Sequence, residues 1–170
     1  MEESLKRWLE EHDIQYILHT HPAVFTVNEA KIHCGHIPGT HCKNLFLIDK
    51  KTETYFLVTI PHEKKLDLKK FRKLVRALKI RFVDPENLWN ILKITPGAIS
   101  PIGLVNDIEN RTIFYVDLNV WNAEKVCCHP NINTETLQLS KENFQKLINA
   151  TGNKIEVAEL PVIIDSESLI

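Results

Sequence analysis

The sequence predicts an α+β fold with a mixed sheet. Apolar runs with strand character recur at 14–20, 43–48, 55–60, 112–118, 125–128 and 134–139, and segments with helix-cap signatures lie between them. The two kinds of segment mix without the strict alternation of βαβ units, which excludes a doubly wound parallel sheet. The chain has 170 residues, 44% of them hydrophobic, enough for one domain over 1–170 with its core at about residues 14–152.

Taken in order, Ser4 is placed to cap a first helix running to about His12, with Leu5, Trp8 and Leu9 on its inner face. Ile14, Tyr16 and Leu18 then alternate with Gln15 and His19, the period of a strand. Thr26 and Glu29 have capping-box spacing for a helix over 27–34, ended by Gly35 and the Pro38-Gly39 pair. Residues 43–48 and 55–60 predict a hairpin of two buried strands. Phe71, Leu74, Val75 and Leu78 recur at helical spacing after Asp67, predicting an amphipathic helix. A strand over 80–83 follows, and then Asp84-Pro85-Glu86, with cap, proline and acid in the places a helix start requires, opens a helix to Leu92. Residues 95–101 hold too much proline and glycine for regular structure, and 102–105 are apolar enough for a short strand. Strands over 112–118, 125–128 and 134–139, a helix between Ser140 and Gly152, and a strand at 155–157 complete the chain.

Uninterrupted apolar stretches such as 45–48 run to four residues, against about 20 for a bilayer span, so no membrane partner is expected. The start, Met1-Glu2-Glu3, is acidic and lacks secretory or transit character, and a cytoplasmic location is the expectation. Cys34, Cys42, Cys127 and Cys128 then read as free thiols, the last two on opposite faces of a strand. The formal net charge is −1, yet nine basic residues and one acid crowd 64–81. That strip, with Lys64, Lys65, Lys69, Lys70, Arg72, Lys73 and Arg76, reads either as a solvated helix face or as a phosphate-contacting surface.

His33, Cys34, His36, His41 and Cys42 crowd ten residues, but their spacings fit no paired-ligand pattern, and neither a metal nor another cofactor is expected. A triad of Ser100, His129 and Asp107 lacks a GxSxG elbow, and Cys42 beside His41 lacks a partner, since strand neighbours point apart. Two features carry more chemistry. Lys43-Asn44 sets a cation and a carboxamide at the mouth of an apolar strand, which reads as a strand-end lysine or as a phosphate grip. Gly97-Ala98-Ile99-Ser100-Pro101 is a glycine-opened loop of small residues, a tight turn or a close backbone approach to a ligand.

In combination these segments resemble the YbaK-like aminoacyl-tRNA deacylase superfamily, the editing domain associated with prolyl-tRNA synthetases. The resemblance rests on His21-Pro22 with Phe25-Thr26-Val27, on Gly39 through Asp49, on Leu66-Asp67-Leu68, on Thr95-Pro96-Gly97 through Asp107, and on His129-Pro130 before Asn133 to Leu137. Within it, the chain is most similar to the free-standing, alanine-specific branch. The resemblance implies a barrel-like, mostly antiparallel sheet surrounded by helices, and hydrolysis of mischarged tRNA(Pro), most characteristically the alanyl ester. It further implies that Lys43 grips the terminal adenosine or its phosphate with Asn44 beside it. Gly97, Ala98, Ile99, Ser100 and Pro101 would orient the ester, His129 would line the amino-acid pocket, and Thr26 would join it. The terminal ribose hydroxyl would assist water activation without metal or cofactor. The partner implied is the tRNA(Pro) acceptor end, presented by prolyl-tRNA synthetase or an elongation factor, with no role for DNA. The strip at 64–81 is then the tRNA-binding surface. Ile102 stands where relatives commonly carry phenylalanine, which bears on pocket width.

Overall fold

The computed structural model describes residues 1–163, and the last seven residues lie outside that range. The elements run α1 (Glu3–Glu11), β1 (Ile17–Thr20), α2 (Val27–Cys34), β2 (Thr40–Asp49), β3 (Thr54–Pro61), α3 (Leu68–Leu74), β4 (Ile80–Phe82), α4 (Pro85–Leu92), a 3-10 turn (Pro101–Asn106), β5 (Thr112–Asp117), α5 (Leu118–Trp121), β6 (Lys125–Cys128), β7 (Glu135–Ser140), α6 (Lys141–Ala150) and β8 (Ile155–Ala158). Eight strands form one mixed sheet in the order β1-β7-β6-β2-β3-β5-β8, with β4 branching off β2. Four pairings are antiparallel and three, β2 with β6, β3 with β5 and β5 with β8, are parallel. The path is an open, branched one with β1 and β8 at its ends.

Alternation along the central strands divides the interior in two. Phe46, Ile48, Tyr55, Leu57, Phe114 and Val116 face a core shared with α1, α4 and α6, whereas Leu47, Phe56, Val58 and Ile60 face Phe71 of α3. The buried core reaches beyond 14–152 at both ends, since Leu5, Leu9 and Leu160 are all interior. A third, small cluster of Val24, Cys34, Ile37 and Cys127 sits under α2. Among the described residues no helix is long and apolar enough to cross a membrane.

Several sequence expectations are corrected here. At the start of α1 the N-cap position is held by Glu2, not Ser4, with no side-chain cap hydrogen bond. Strand β1 starts at Ile17, and Leu18 is exposed rather than inward, because β1 is an outer strand with β7 as its one neighbour. The basic helix stops at Leu74, and Arg76 turns left-handed at φ 54°, so Leu74 and Leu78 stay exposed and Phe71 alone is buried. Residues 102–105 form a 3-10 turn instead of a strand, since Pro101 presets the turn and the Ser100 hydroxyl accepts the Ile102 N–H at 3.2 Å. Gly103 fits there because any β-carbon would lie 2.3 Å from Ile94.

Candidate functional site

Strand β2 organises the site. One edge pairs with β3 from Cys42 to Asp49. The other pairs with β6 at Thr40 and His41 and with β4 at Leu47 to Asp49, where the Val83 N–H also reaches the Phe46 carbonyl at 3.0 Å, so residues 42–45 have no strand partner on that edge among the described residues. A cavity of about 660 Å³ borders this gap, walled by α2, by the loop containing Gly97 and Ile99, and by the end of β6. Of the site residues the family resemblance implies, Thr26, Lys43, Asn44, Gly97, Ile99 and His129 line it.

Asn44 joins two walls. Its amide donates to the Ile99 carbonyl at 2.9 Å while its oxygen accepts the Thr59 hydroxyl at 2.7 Å, tying the loop to the hairpin. Within that loop the Ala98 N–H goes to Thr95, and the Ile102 and Gly103 N–H groups go to Ser100. The Gly97 and Ile99 N–H groups make no hydrogen bond among the described residues. Gly97 adopts φ +90°, which excludes a side chain by conformation although a β-carbon would only touch Phe25 at 3.5 Å. Lys43 is half-buried beside this loop, and burial, with the Lys65 charge nearby, holds its ammonium below the usual lysine range.

The opposite wall is imidazole-rich. His129 Nδ1 lies 2.8 Å from the Glu135 carbonyl, which only accepts, so Nδ1 carries the proton and Nε2 keeps its lone pair. Burial, with the His21 and His41 rings nearby, holds His129 below the ordinary histidine value of 6.5. His21 stands 5.8 Å away, anchored through Nε2 to the Thr136 hydroxyl at 2.9 Å. His41 Nε2 donates to the Ile37 carbonyl at 2.9 Å, and its ring meets His62 edge-on at 5.9 Å. Thr26 is engaged structurally: its hydroxyl oxygen accepts the Glu29 N–H at 3.2 Å, and the Glu29 carboxylate returns bonds to Phe25 and Thr26.

Three predicted pocket residues do not reach the cavity wall. Ala98 is buried in the main core, Ser100 is the buried cap of the 3-10 turn, and Pro101 is that turn's first residue, because alternate positions of the loop point inward to the core. Ile102 is also fully buried in the main core, so its identity does not set the cavity's width directly. None of the strip residues lines the cavity. Lys64 instead bonds the buried Asp117 carboxylate at 3.0 Å, while Lys65, Lys69, Lys70, Arg72, Lys73 and Arg76 are exposed. Sequence reasoning missed His41, His62, Phe25 and all four thiols as wall residues. The crowding at 33–42 was the available signal. Which wall it forms depends on the β2–β6 pairing, a contact between segments more than 80 residues apart.

Comparison with known proteins gives the family of the chain. The profile of the aminoacyl-tRNA editing domain family matches residues 21–147, and the chain belongs to that family. It is 35% identical over 153 residues to the prolyl-tRNA editing protein ProX of Acetoanaerobium sticklandii, covering 89% of this chain and 93% of that protein. It is 37% identical over 137 residues to the mouse (Mus musculus) prolyl-tRNA synthetase associated domain-containing protein 1, covering 78% of this chain and 80% of the relative. The fold is shared with the crystal structure of a candidate trans-editing enzyme for prolyl tRNA synthetase, at a TM-score of 0.71 and 20% identity, covering 96% of this chain and 99% of that one.

Proposed function

We propose that the protein is a trans-editing hydrolase that cleaves the aminoacyl ester of mischarged tRNA(Pro), with the alanyl ester as its main substrate. The observation that carries the reading is the convergence of Lys43, the Gly97–Ile99 backbone and His129 on one cavity. The names of the relatives at 35% and 37% identity point the same way.

In this reading Lys43 holds the terminal phosphate or adenosine as a point charge, and the small desolvated space around it strengthens that contact. The N–H groups of Gly97 and Ile99 orient the ester carbonyl and receive the oxyanion as water adds. Asn44 positions the loop through the Ile99 carbonyl. Neutral His129 offers Nε2 to the substrate's ammonium group or to the attacking water, while the terminal ribose hydroxyl assists proton removal. Selection against proline is steric. A synthetase pocket built for proline gains only about 1–3 kcal/mol of discrimination from a missing methylene, so a second site that admits the smaller acyl group is needed. The exposed cations from Lys65 to Arg76 take the acceptor-stem phosphates, and prolyl-tRNA synthetase or an elongation factor presents the tRNA.

Single-turnover deacylation of tRNA(Pro) charged with alanine, serine, cysteine or proline tests this. The expected result is fast loss of alanine with proline spared, and a large loss of rate in Lys43→Ala. Intact tRNA binding without hydrolysis of any ester overturns it and makes the protein an adaptor of the same fold.

A further inference from the structure

The thiols found around the cavity have no part in that reaction. All four cysteines line it, and they sort into two groups by strand face. Cys127 packs with Cys34 under α2, whereas Cys128 lies in the main core with Cys42 packed against it. The parallel pairing ends at Thr40 with Val126 and His41 with Cys127, and Cys42 and Cys128 are the next residues on the two strands. Paired strands lie about 4.8 Å apart and a disulfide accepts about 4.4–6.8 Å between α-carbons, so one step past the last pair the two cysteines start near that window. The adjacent Cys42, with burial, pushes the Cys128 thiol up, while the Cys42 thiol itself donates to the Thr40 carbonyl at 3.7 Å. Cys127 is pushed up to about 12 by burial, with Cys42 and Cys34 contributing. Cys34, Cys127 and Cys128 are buried; Cys42 is the half-buried one, open to a solute entering the cavity.

We infer that Cys42 and Cys128 form an oxidisable pair, in which a hydroperoxide entering the cavity oxidises Cys42 and Cys128 closes a disulfide. In the first step the Cys42 sulfur attacks the O–O bond, becoming a sulfenic acid and releasing one water (from hydrogen peroxide). In the second the Cys128 sulfur displaces the hydroxyl, forming the S–S bond and releasing another water. Two thiols lose two electrons in total and the peroxide gains them. The bond lies one residue before Lys43 on β2 and one before His129 at the end of β6. Closing it moves both side chains relative to the loop at Gly97. Displacements of about 1 Å cost a site up to about 100-fold, so the oxidised form loses editing and a thiol reductant restores it. This last consequence rests on the editing reading; the disulfide itself does not.

The test treats the whole protein with hydrogen peroxide, blocks remaining thiols by alkylation, and maps peptides by mass. A Cys42–Cys128 linked peptide, 2 Da lighter than its two free parts, is expected in wild type and Cys34→Ser, and not in Cys42→Ser or Cys128→Ala. Full alkylation of Cys42 after treatment, or an undiminished crosslink in Cys42→Ser, overturns the pair. Deacylation is followed in parallel, with an expected loss of about tenfold on oxidation, reversed by dithiothreitol and absent in Cys42→Ser. A crosslink that leaves the rate of an active enzyme unchanged overturns the regulatory consequence. A crosslink in a protein that hydrolyses no ester even when reduced supports the pair and counts against the editing reading instead.

Discussion

The cavity wall and the basic strip at 64–81 differ in how their side chains are held. On the wall, Asn44 has both ends engaged, His129 and His41 are each fixed by one carbonyl, and Gly97 is set by its backbone conformation. On the strip, six of the seven singled-out cations are exposed, and the helix that carries several of them is seven residues long and docks through Phe71. Fixed groups supply geometry and exposed cations supply charge. On the proposed reading the wall positions a reacting ester and the strip holds a polyanion of any sequence. Lys64 breaks the pattern: its place in the sequence belongs to the strip, but its ammonium is held by buried Asp117, which also accepts the Asn119 and Leu160 N–H groups.

That contrast yields graded predictions. Lys43→Ala should lower kcat/KM for the alanyl ester by about 100-fold, as expected for loss of a substrate-positioning contact. Thermal unfolding should move little, and a comparable loss of stability would make Lys43 a structural residue. Asn44→Ala leaves the Ile99 carbonyl and the Thr59 hydroxyl without their partner. It should cost about 1–3 kcal/mol in denaturant unfolding and about tenfold in rate, with the loop at Gly97 exchanging amide hydrogens faster.

Acidification tests the imidazole wall. His129 and His41 are both held below 6.5 in the folded state by burial, so the unfolded chain binds more protons once pH falls to that value. Stability should therefore fall as pH drops from about 6.5 through the lower folded values, and His129→Gln should flatten part of that slope in pH-dependent urea titrations. The strip gives the smallest effects. Lys69→Ala and Lys73→Ala should each weaken tRNA binding modestly and reduce the log–log salt slope by about 0.7–0.9. Lys64→Ala should instead lower stability and leave the salt slope nearly unchanged. Equal behaviour of all three would erase the distinction between the two regions.

The same distinction explains what the sequence made legible. Caps at Thr26, Asp67, Asp84 and Ser140 are local, and each sits at the predicted helix start. Strands β3, β5 and β6 carry enough apolar pattern to be read without their neighbours. By contrast, Leu74 and Leu78 satisfy helical spacing, yet the chain leaves the helix at Arg76, because Asp49 on the distant β2 turn captures the Leu78 and Lys79 N–H groups at 2.9 Å. Of the site, Lys43, Asn44 and His129 were read from the family's motifs, whereas composition left them ambiguous. Whether a loop residue faces the cavity, as Ile99 does, or the core, as Ala98 and Ser100 do, depends on Asn44 reaching across from β2. That is a tertiary fact, which spacing along the chain does not encode.

The unpaired stretch of β2 sets thermodynamics against utility at one place. If β6 or β4 grew by two residues along that edge, the protein would gain ladder hydrogen bonds and bury more backbone, and by every ordinary measure it would fold better. It would also zip the cavity shut. Variants chosen for heat resistance should be sequenced first at residues 42–45 and at the ends of β4 and β6.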